Sequence, residues 1–190
     1  MSGCKLTRSL DNKACNYALS GARALYLANY LPPVEGEEAT TNAIAYQFDK
    51  DGYIEGIHLP EGESFYKVEC AENTLSFTDA LTEGGNGGKF RTHTVNAVIN
   101  QHDLDTLNEG DALSLGRFIA VVVDSAGKVS VLGRTGGLSA PAGGFDYNTG
   151  AAEADATGWT LQLAGSSTEI ARLVKDVTVI TPIFEETVEP

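Results

Sequence analysis

Long apolar runs are missing from this sequence. A membrane-spanning helix needs about 18 or more consecutive, mainly apolar residues, and no stretch of that kind occurs in the 190 residues. The segment from Met1 to Tyr30 also has no apolar core of the length that a secretory signal requires. We therefore expect a soluble protein that is not secreted and does not enter a membrane.

Cysteine is scarce. Cys4, Cys15 and Cys70 are odd in number and far apart, which fits neither a disulfide framework nor the short paired spacings of a zinc site. Cys70 follows an alternating strand pattern, so it is predicted to be a small buried apolar side chain. We expect a reducing compartment, no bound metal and no cofactor.

Basic residues are outnumbered two to one. Lys and Arg total 13 and Asp and Glu total 26, which gives a formal net charge of -13. A protein that grips nucleic acid needs a basic face, because release of counterions from the phosphates drives the association. The charge argues against such a grip, although it suits a surface that nucleic acid slides past without adhering.

A complete phosphate-binding motif is missing as well. The glycine-rich stretch LTEGGNGGKFRTHTV, from Leu81 to Val95, places Lys89 directly after Gly88, as a phosphate loop does. Such a loop would also need glycine at position 83 and Ser or Thr at position 90, where the chain has Glu83 and Phe90. The residues that follow favour a strand rather than a helix, so no nucleotide site is expected.

The turn FDKDGYIE begins like a calcium-binding loop. With Gly52 at the sixth position, the first and twelfth positions hold Gln47 and His58, so the bidentate carboxylate that completes such a site is absent. We interpret the segment as a tight turn in which Asp49 and Asp51 bond the local backbone.

Local catalytic motifs are not found either. His58, His93 and His102 are far apart and have no metal-ligand spacing, and no G-x-S-x-G elbow occurs. A Ser-His-Asp arrangement assembled only in space stays open. The paired acids Glu37-Glu38 and Glu185-Glu186 lie in polar stretches and are predicted to be solvated. The sequence therefore predicts that the protein is not an enzyme.

The chain is rich in glycine, with 21 residues, which indicates many turns. Between the turns the apolar periodicity is mostly twofold. NAIAYQF and YIEGIHL, joined by DKDG, predict one hairpin, and RFIAVVVD and VSVLG, joined by DSAGK, predict a second. The run from Phe118 to Val123 is apolar on both faces, which places that strand inside a sheet. FYKVEC and GWTLQLAG predict two half-buried strands, the first with Tyr66, Val68 and Cys70 on one side.

One short helix is predicted. Asn100 can cap the run QHDLDTLNEG, Leu104 and Leu107 would face inward, and Gly110 would end the helix. The segment TEIARLVKD is a weaker candidate that fits helix or strand. Residues 137–158 are interpreted as one long loop, because they are rich in Gly, Ala and Asp and have no clear period.

The predicted fold class is mainly β. It is an antiparallel β-sandwich or barrel with one short flanking α-helix and long loops. Residues 1–190 are expected to form a single domain without an internal linker. Residues 1–20 are predicted to be an extended N-terminal arm and residues 185–190 a polar C-terminal tail, both of which would order only on assembly.

Four parts of the chain carry a family resemblance. They are SGARALYLANY near the start, FYKVECAENTLSFTDAL leading through the glycine-rich tip to FRTHTVNAVI, then RFIAVVVDSAGKVSVLGRTGGL, and finally DATGWTLQLAGSS. In this order they resemble the tail tube (major tail) proteins of tailed bacteriophages, and they extend from Ser20 to Ser167. The resemblance lies in the general residue pattern of these segments and in their order, rather than in one invariant motif. Other virion rings of the same ancestry, such as connector rings, look similar.

The resemblance implies a structural virion protein. In that family, a β-sandwich subunit with a flanking helix forms hexameric rings that stack into a tube for passage of the genome. Extended loops and terminal arms make the contacts between rings. For this chain it implies self-association into stacked rings, contact with other tail or connector proteins, and location in the virion tail after synthesis in the host cytoplasm. DNA would pass an acidic lumen without specific binding.

The candidate contact region is a hairpin with arms at Asn73 to Leu81 and Lys89 to Ile99. Exposed strand edges carry unpaired N–H and C=O groups that a neighbouring subunit can complete. Lys89 and Arg91 are isolated basic residues in an acidic chain and are expected to meet acidic loops of the next subunit. An ordinary mobile hairpin loop is the alternative. The candidate oligomer-interface residues are Gly84, Gly85, Asn86, Gly87, Gly88, Lys89 and Arg91.

Two other function classes stay open. A β-sandwich module that binds a glycan or a peptide would need aromatic residues clustered in its loops, and Tyr53, Tyr147 and Trp159 are too scattered in the sequence to indicate one. An enzyme of unfamiliar type would need a convergent polar pocket, which a sequence does not reveal.

Overall fold

The structure is a computed structural model that describes residues 20–152, 155 and 157–176. The predicted C-terminal tail and the predicted N-terminal arm, apart from Ser20, lie outside these residues. Twelve strands and one helix are described, and the mainly-β fold class is confirmed. The elements are β1 (Ala22–Asn29), β2 (Pro33–Glu35), β3 (Ile44–Phe48), β4 (Ile54–His58), β5 (Tyr66–Val68), β6 (Ser76–Glu83), β7 (Lys89–Ile99), α1 (Leu104–Leu115), β8 (Phe118–Asp124), β9 (Val129–Leu132), β10 (Phe145–Asn148), β11 (Gly158–Ser167) and β12 (Arg172–Leu173).

The strands form three sheets. A five-stranded central sheet has the order β12-β9-β8-β1-β5, and all of its pairings are antiparallel. A large outer sheet has the order β10-β11-β7-β6, also antiparallel. A small outer sheet has the order β2-β3-β4, in which β2 and β3 are parallel. Both predicted hairpins, β3–β4 and β8–β9, are confirmed by these pairings.

Two apolar cores lie on the two faces of the central sheet. On one face, Phe118, Ala120 and Val122 of β8 pack with buried residues of β7 and β11 from the large outer sheet. On the other face, Ile119 and Val121 pack with buried residues of β3 and β4 from the small outer sheet. Strand β8 is therefore buried on both sides, as its unbroken apolar run predicted. The molecule has three layers of sheet rather than the two of a simple sandwich.

The turn between β3 and β4 has the predicted local structure. Oδ1 of Asp49 accepts hydrogen bonds from the backbone N–H groups of Asp51 and Tyr53, both at 2.9 Å. Gly52 has a φ of 89°, a left-handed conformation that glycine adopts without steric cost. These bonds close the turn that joins β3 to β4.

The helix differs from its prediction in three ways. Its N-cap is Asp103 rather than Asn100, because the Asp103 carboxylate accepts a hydrogen bond from the backbone N–H of Thr106 at 2.9 Å. Gly110 lies inside the helix, which ends at Gly116. Leu104 and Leu107 face outward and are exposed rather than buried. None of the helices that the structure describes has the length and apolar character to cross a membrane.

Two other predictions need correction, and one prediction that allowed helix or strand is decided. The long loop at 137–158 contains β10, which pairs with β11 from Phe145↔Leu161 to Asn148↔Gly158. The segment TEIARLVKD forms no helix within its described residues and contributes β12. Tyr66 of β5 is exposed, although Val68 and Cys70 pack against the core as expected.

Candidate functional site

The predicted contact hairpin is present. Strands β6 and β7 pair from Ser76↔Asn96 to Glu83↔Lys89, and the chain reverses over the tip at Gly84 to Gly88. The tip is closed by hydrogen bonds from the Gly84 N–H to the Gly88 carbonyl, at 2.8 Å, and from the Gly87 N–H to the Gly84 carbonyl, at 2.9 Å. The glycines thus make a compact turn rather than an anion cradle, since two of their backbone N–H groups donate within the turn.

The outer edge of this hairpin is strand β6, at the end of the described sheet. Among the described strands, β6 pairs with β7 alone. Several side chains along β6 are exposed, and Leu81 is exposed to 60%. An exposed strand edge offers a row of backbone donors and acceptors to another chain. The edge and the apolar side chain together make β6 a surface suited to association.

The two basic candidates at the base of the tip have different surroundings. Lys89 is exposed and has no ion pair with a described residue. Arg91 is tied into its own hairpin, because its Nε donates to Oδ1 of Asp79 at 2.7 Å and its guanidinium also donates to the Asp79 carbonyl at 2.8 Å. Of these two predicted interface residues, Lys89 is therefore the one with an exposed charge and no ion pair to a described residue.

Asp79 is the centre of a polar cluster that the sequence did not indicate. Its Oδ2 accepts a hydrogen bond from the backbone N–H of Ala171 at 2.9 Å, and its Oδ1 lies 3.5 Å from Nε2 of His93. Burial opposes ionisation of Asp79, but the bonds and charges of its partners outweigh it and hold the pKa of the carboxyl below its usual value. The carboxylate therefore joins the large outer sheet to the segment before β12.

His93 is fully buried in the middle of β7. Its Nδ1 accepts a hydrogen bond from the Gly133 N–H at 3.2 Å, so the neutral ring carries its proton on Nε2, on the side of Asp79. Burial lowers the pKa of His93, and the Asp79 carboxylate opposes this without overcoming it. His93 is therefore enclosed between β6, the segment before β12 and the loop after β9.

A second ion cluster follows the first. Glu169 accepts two hydrogen bonds from Arg134, both at 2.6 Å, and one from Arg172 at 3.1 Å. The Arg134 guanidinium lies 5.3 Å from the ring centres of Tyr46 and Phe48, a cation–π distance. Burial disfavours the charge on Glu169, but the two arginines outweigh it and lower the pKa of the carboxyl. The cluster joins the central and small outer sheets.

An aromatic cluster lies where β10 meets β11. Phe145 and Trp159 stack with ring centres 4.6 Å apart, Tyr147 lies 5.0 Å from Trp159, and His102 stacks on Tyr147 at 4.0 Å. Tyr147 and Trp159, which the sequence left scattered, are therefore neighbours, whereas Tyr53 lies elsewhere. The sequence signal for this cluster was the alternation in FDYN of β10 and in GWTL of β11. It indicates neighbouring rings only when FDYN is recognised as a strand that pairs with β11. Each ring in the cluster lies against at least one other ring.

The described residues hold no group of three or more His, Cys, Asp or Glu side chains placed to bind a metal ion. They also bring no serine hydroxyl within hydrogen-bonding distance of the buried His93. The polar clusters thus connect elements of the fold to one another. Comparison of this chain with protein-family models, with curated proteins and with solved structures finds no match.

Proposed function

We propose that this protein is a structural subunit that works by self-association, forming rings that stack into a tube of the kind through which a phage genome passes. The observation that carries the proposal is the long β6–β7 hairpin, whose outer strand β6 pairs with no described strand other than β7 and exposes Leu81 at 60%. An edge of this kind is completed when another chain adds to it.

The charge of the chain supports the same function. With a net charge of -13, a tube wall built from many copies would repel DNA phosphates and let the duplex slide, because no counterion release holds it in place. The polar clusters around Asp79 and Glu169 are used in holding the three sheets together. Stiff, cross-linked subunits suit a tube that must keep its bore open.

The resemblance to tail tube proteins supplies the finer parts of the proposal. These are a hexameric ring, partners among the other tail or connector proteins, and location in the virion after synthesis in the host cytoplasm. A connector ring is the nearest variant of the same proposal, since it would use the same kind of subunit.

The test is electron microscopy of the concentrated purified chain, together with sedimentation velocity over a range of protein concentrations. Rings with a central hole, or stacks of them, are the expected result. A strict monomer at every concentration would overturn the proposal. A copy number other than six would retain the assembly function and correct the ring size.

The aromatic cluster of Phe145, Tyr147, Trp159 and His102 favours one second candidate, a β-sandwich module that binds a glycan or a peptide. Aromatic faces are the usual platform for sugar rings, but here they largely stack on one another. A glycan and peptide array probed with the monomer distinguishes the two candidates. Saturable binding that is lost in Tyr147→Ala would support the module, and an array without signal would leave the assembly function.

A further inference from the structure

The outer face of α1 exposes three leucines. Leu104, Leu107 and Leu115 are exposed to 70%, 47% and 86%, and at 3.6 residues per turn they lie within roughly 80° of one another around the helix axis. Leu113, on the opposite side, packs against the core. Leu113 therefore contacts the core from the inner side of the helix. Leu104, Leu107 and Leu115 form a stripe on the outer side, which we call the α1 stripe.

The surroundings of the α1 stripe are acidic. The helix and its cap carry Asp103, Asp105, Glu109 and Asp111, and between Asp103 and Gly116 there is no Lys or Arg. Two such faces would repel each other, so pairing of α1 with α1 of another copy is disfavoured. The surface fits a segment that carries apolar side chains and positive charge.

One segment of the chain has that composition. Residues 1–19 contain Lys5, Arg8 and Lys13 with Asp11 as the single acid, so they are net positive by two charges (three minus one) in a chain whose net charge is -13. They also contain Leu6 and Leu10 between the basic residues, along with further apolar residues. Charge and apolar content both complement the α1 stripe.

The segment joins the fold at the end of the central sheet that lies away from its own α1. Ala22 pairs with Asp124 and Asn29 with Phe118, and α1 ends at Leu115, just before Phe118. The chain thus enters the central sheet at the end farther from α1, roughly 25 Å away for eight strand residues. Nineteen residues can extend roughly 65 Å. In copies stacked in one orientation, the entry end of one sheet faces the α1 end of the next.

We propose that residues 1–19 of one copy dock on the α1 stripe of a second copy, with Leu6 and Leu10 against the leucines and the three basic residues beside the helix carboxylates. The inference rests on the proposed self-association and assigns a surface and an occupant to one of its contacts. The contact joins unlike surfaces, so in copies stacked in one orientation it propagates from copy to copy.

The experiment is zero-length carbodiimide cross-linking of full-length protein prepared as an equal mixture of ¹⁴N-labelled and ¹⁵N-labelled chains. The expected result is mixed-isotope cross-links that join Lys5 or Lys13 to Asp105, Glu109 or Asp111. Cross-links at these positions that are all of one isotope type would place the segment on its own helix and overturn the proposal. Absence of cross-links at the α1 face would overturn it as well.

Variants sharpen the test. Leu104→Ser, Leu107→Ser and Leu115→Ser together are expected to reduce the mixed-isotope cross-links by about tenfold, because the apolar contact is lost, while circular dichroism stays that of the parent chain. Val34→Ser with Ile170→Ser is the matched control, since both side chains are exposed and neither belongs to a surface assigned to association, and it should leave the α1 cross-links unchanged. Equal loss in both variants would contradict the assignment.

A charge exchange separates this inference from the proposed function. Asp105→Lys with Asp111→Lys should weaken assembly, and adding Lys5→Glu with Lys13→Glu should restore it. Rings or tubes without α1 cross-links would overturn the inference and keep the function. Mixed-isotope α1 cross-links in a species that never exceeds a few copies would keep the inference and overturn the ring function.

Discussion

Arg134 and Glu169 meet through two parallel hydrogen bonds of 2.6 Å, and both side chains are only 11% exposed. Arg134 follows β9 of the central sheet and Glu169 precedes β12, so the pair ties the end of the described chain back to the sheet. The same guanidinium lies over the rings of Tyr46 and Phe48 in the small outer sheet. One paired charge thus connects three separate stretches of sequence.

Replacing Glu169 with glutamine is expected to lower the free energy of unfolding by about 3 kcal/mol, because Arg134 would keep its charge at a mostly covered site without a counter-charge. Urea denaturation at neutral pH measures the change. Glu69→Gln is the control, since the Lys67–Glu69 pair is 55% and 76% exposed and should contribute no more than about 0.5 kcal/mol. Equal effects of the two substitutions would contradict this account.

The pKa of buried His93 predicts a pH dependence. Because burial lowers the pKa of this side chain in the folded state, the unfolded chain takes up the proton first as the pH falls below about 6.5. The free energy of unfolding should therefore decrease from that pH downward, by up to about 1.4 kcal/mol per pH unit, until the folded-state pKa is reached.

Denaturation of His93→Gln between pH 5.5 and 7 tests this prediction. The glutamine carbonyl can still accept from the Gly133 N–H, and the slope of unfolding free energy against pH should become shallower by this contribution. Leu163→Ala, a core substitution without a titrating group, should keep the slope of the parent chain. A parent slope that persists in His93→Gln would assign it to other residues.

Gly165 lies where β11 crosses the loop after β9. A Cβ built on Gly165 would collide with the carbonyl of Gly137, and one on Gly136 would collide with the carbonyl of Ser166. Gly165→Ala is therefore expected to cost about 2–3 kcal/mol of unfolding free energy through backbone displacement. Gly85→Ala, which meets no atom within 4 Å, should be close to neutral. Thermal and urea unfolding of the two alanine variants give the comparison.

The two basic residues near the hairpin tip should behave differently when mutated singly. Arg91→Gln removes the partner of Asp79 and should lower the unfolding free energy by about 2 kcal/mol. Lys89→Glu should leave it within about 0.5 kcal/mol yet reduce assembly, if the tip meets acidic loops of a neighbouring subunit. Sedimentation velocity at several salt concentrations measures assembly. Unchanged assembly of Lys89→Glu at every salt concentration would remove Lys89 from the interface.

Much of the sheet structure could be predicted from short-range pattern. The run from Phe118 to Val123 is apolar at every position, and only a strand covered on both faces requires that. The turns DKDG and DSAGK lie between two alternating segments each, so the pairings β3–β4 and β8–β9 follow from neighbouring residues alone. In these cases the information that determines the structure is local.

The parts that were missed depend on distant partners. Leu104 and Leu107 have helical spacing, but which side of α1 meets the core is decided by Leu113 and by Gly110, where a Cβ would lie 3.3 Å from the ring of Phe145. Arg134 and Glu169 are 35 positions apart, and the sequence around either residue does not indicate that the other is its partner. Strand β10 has only four residues, too few for its alternation to stand out in a glycine-rich stretch.

Strand β8 belongs to both apolar cores, with Phe118, Ala120 and Val122 in one and Ile119 and Val121 in the other. Neither core can lose this strand and remain closed, so the two layers on either side of the central sheet form one cooperative unit. Amide protons in the middle of β8 are then released to solvent only when the whole assembly of sheets opens. A chain built in this way resists partial unfolding that starts from either outer sheet.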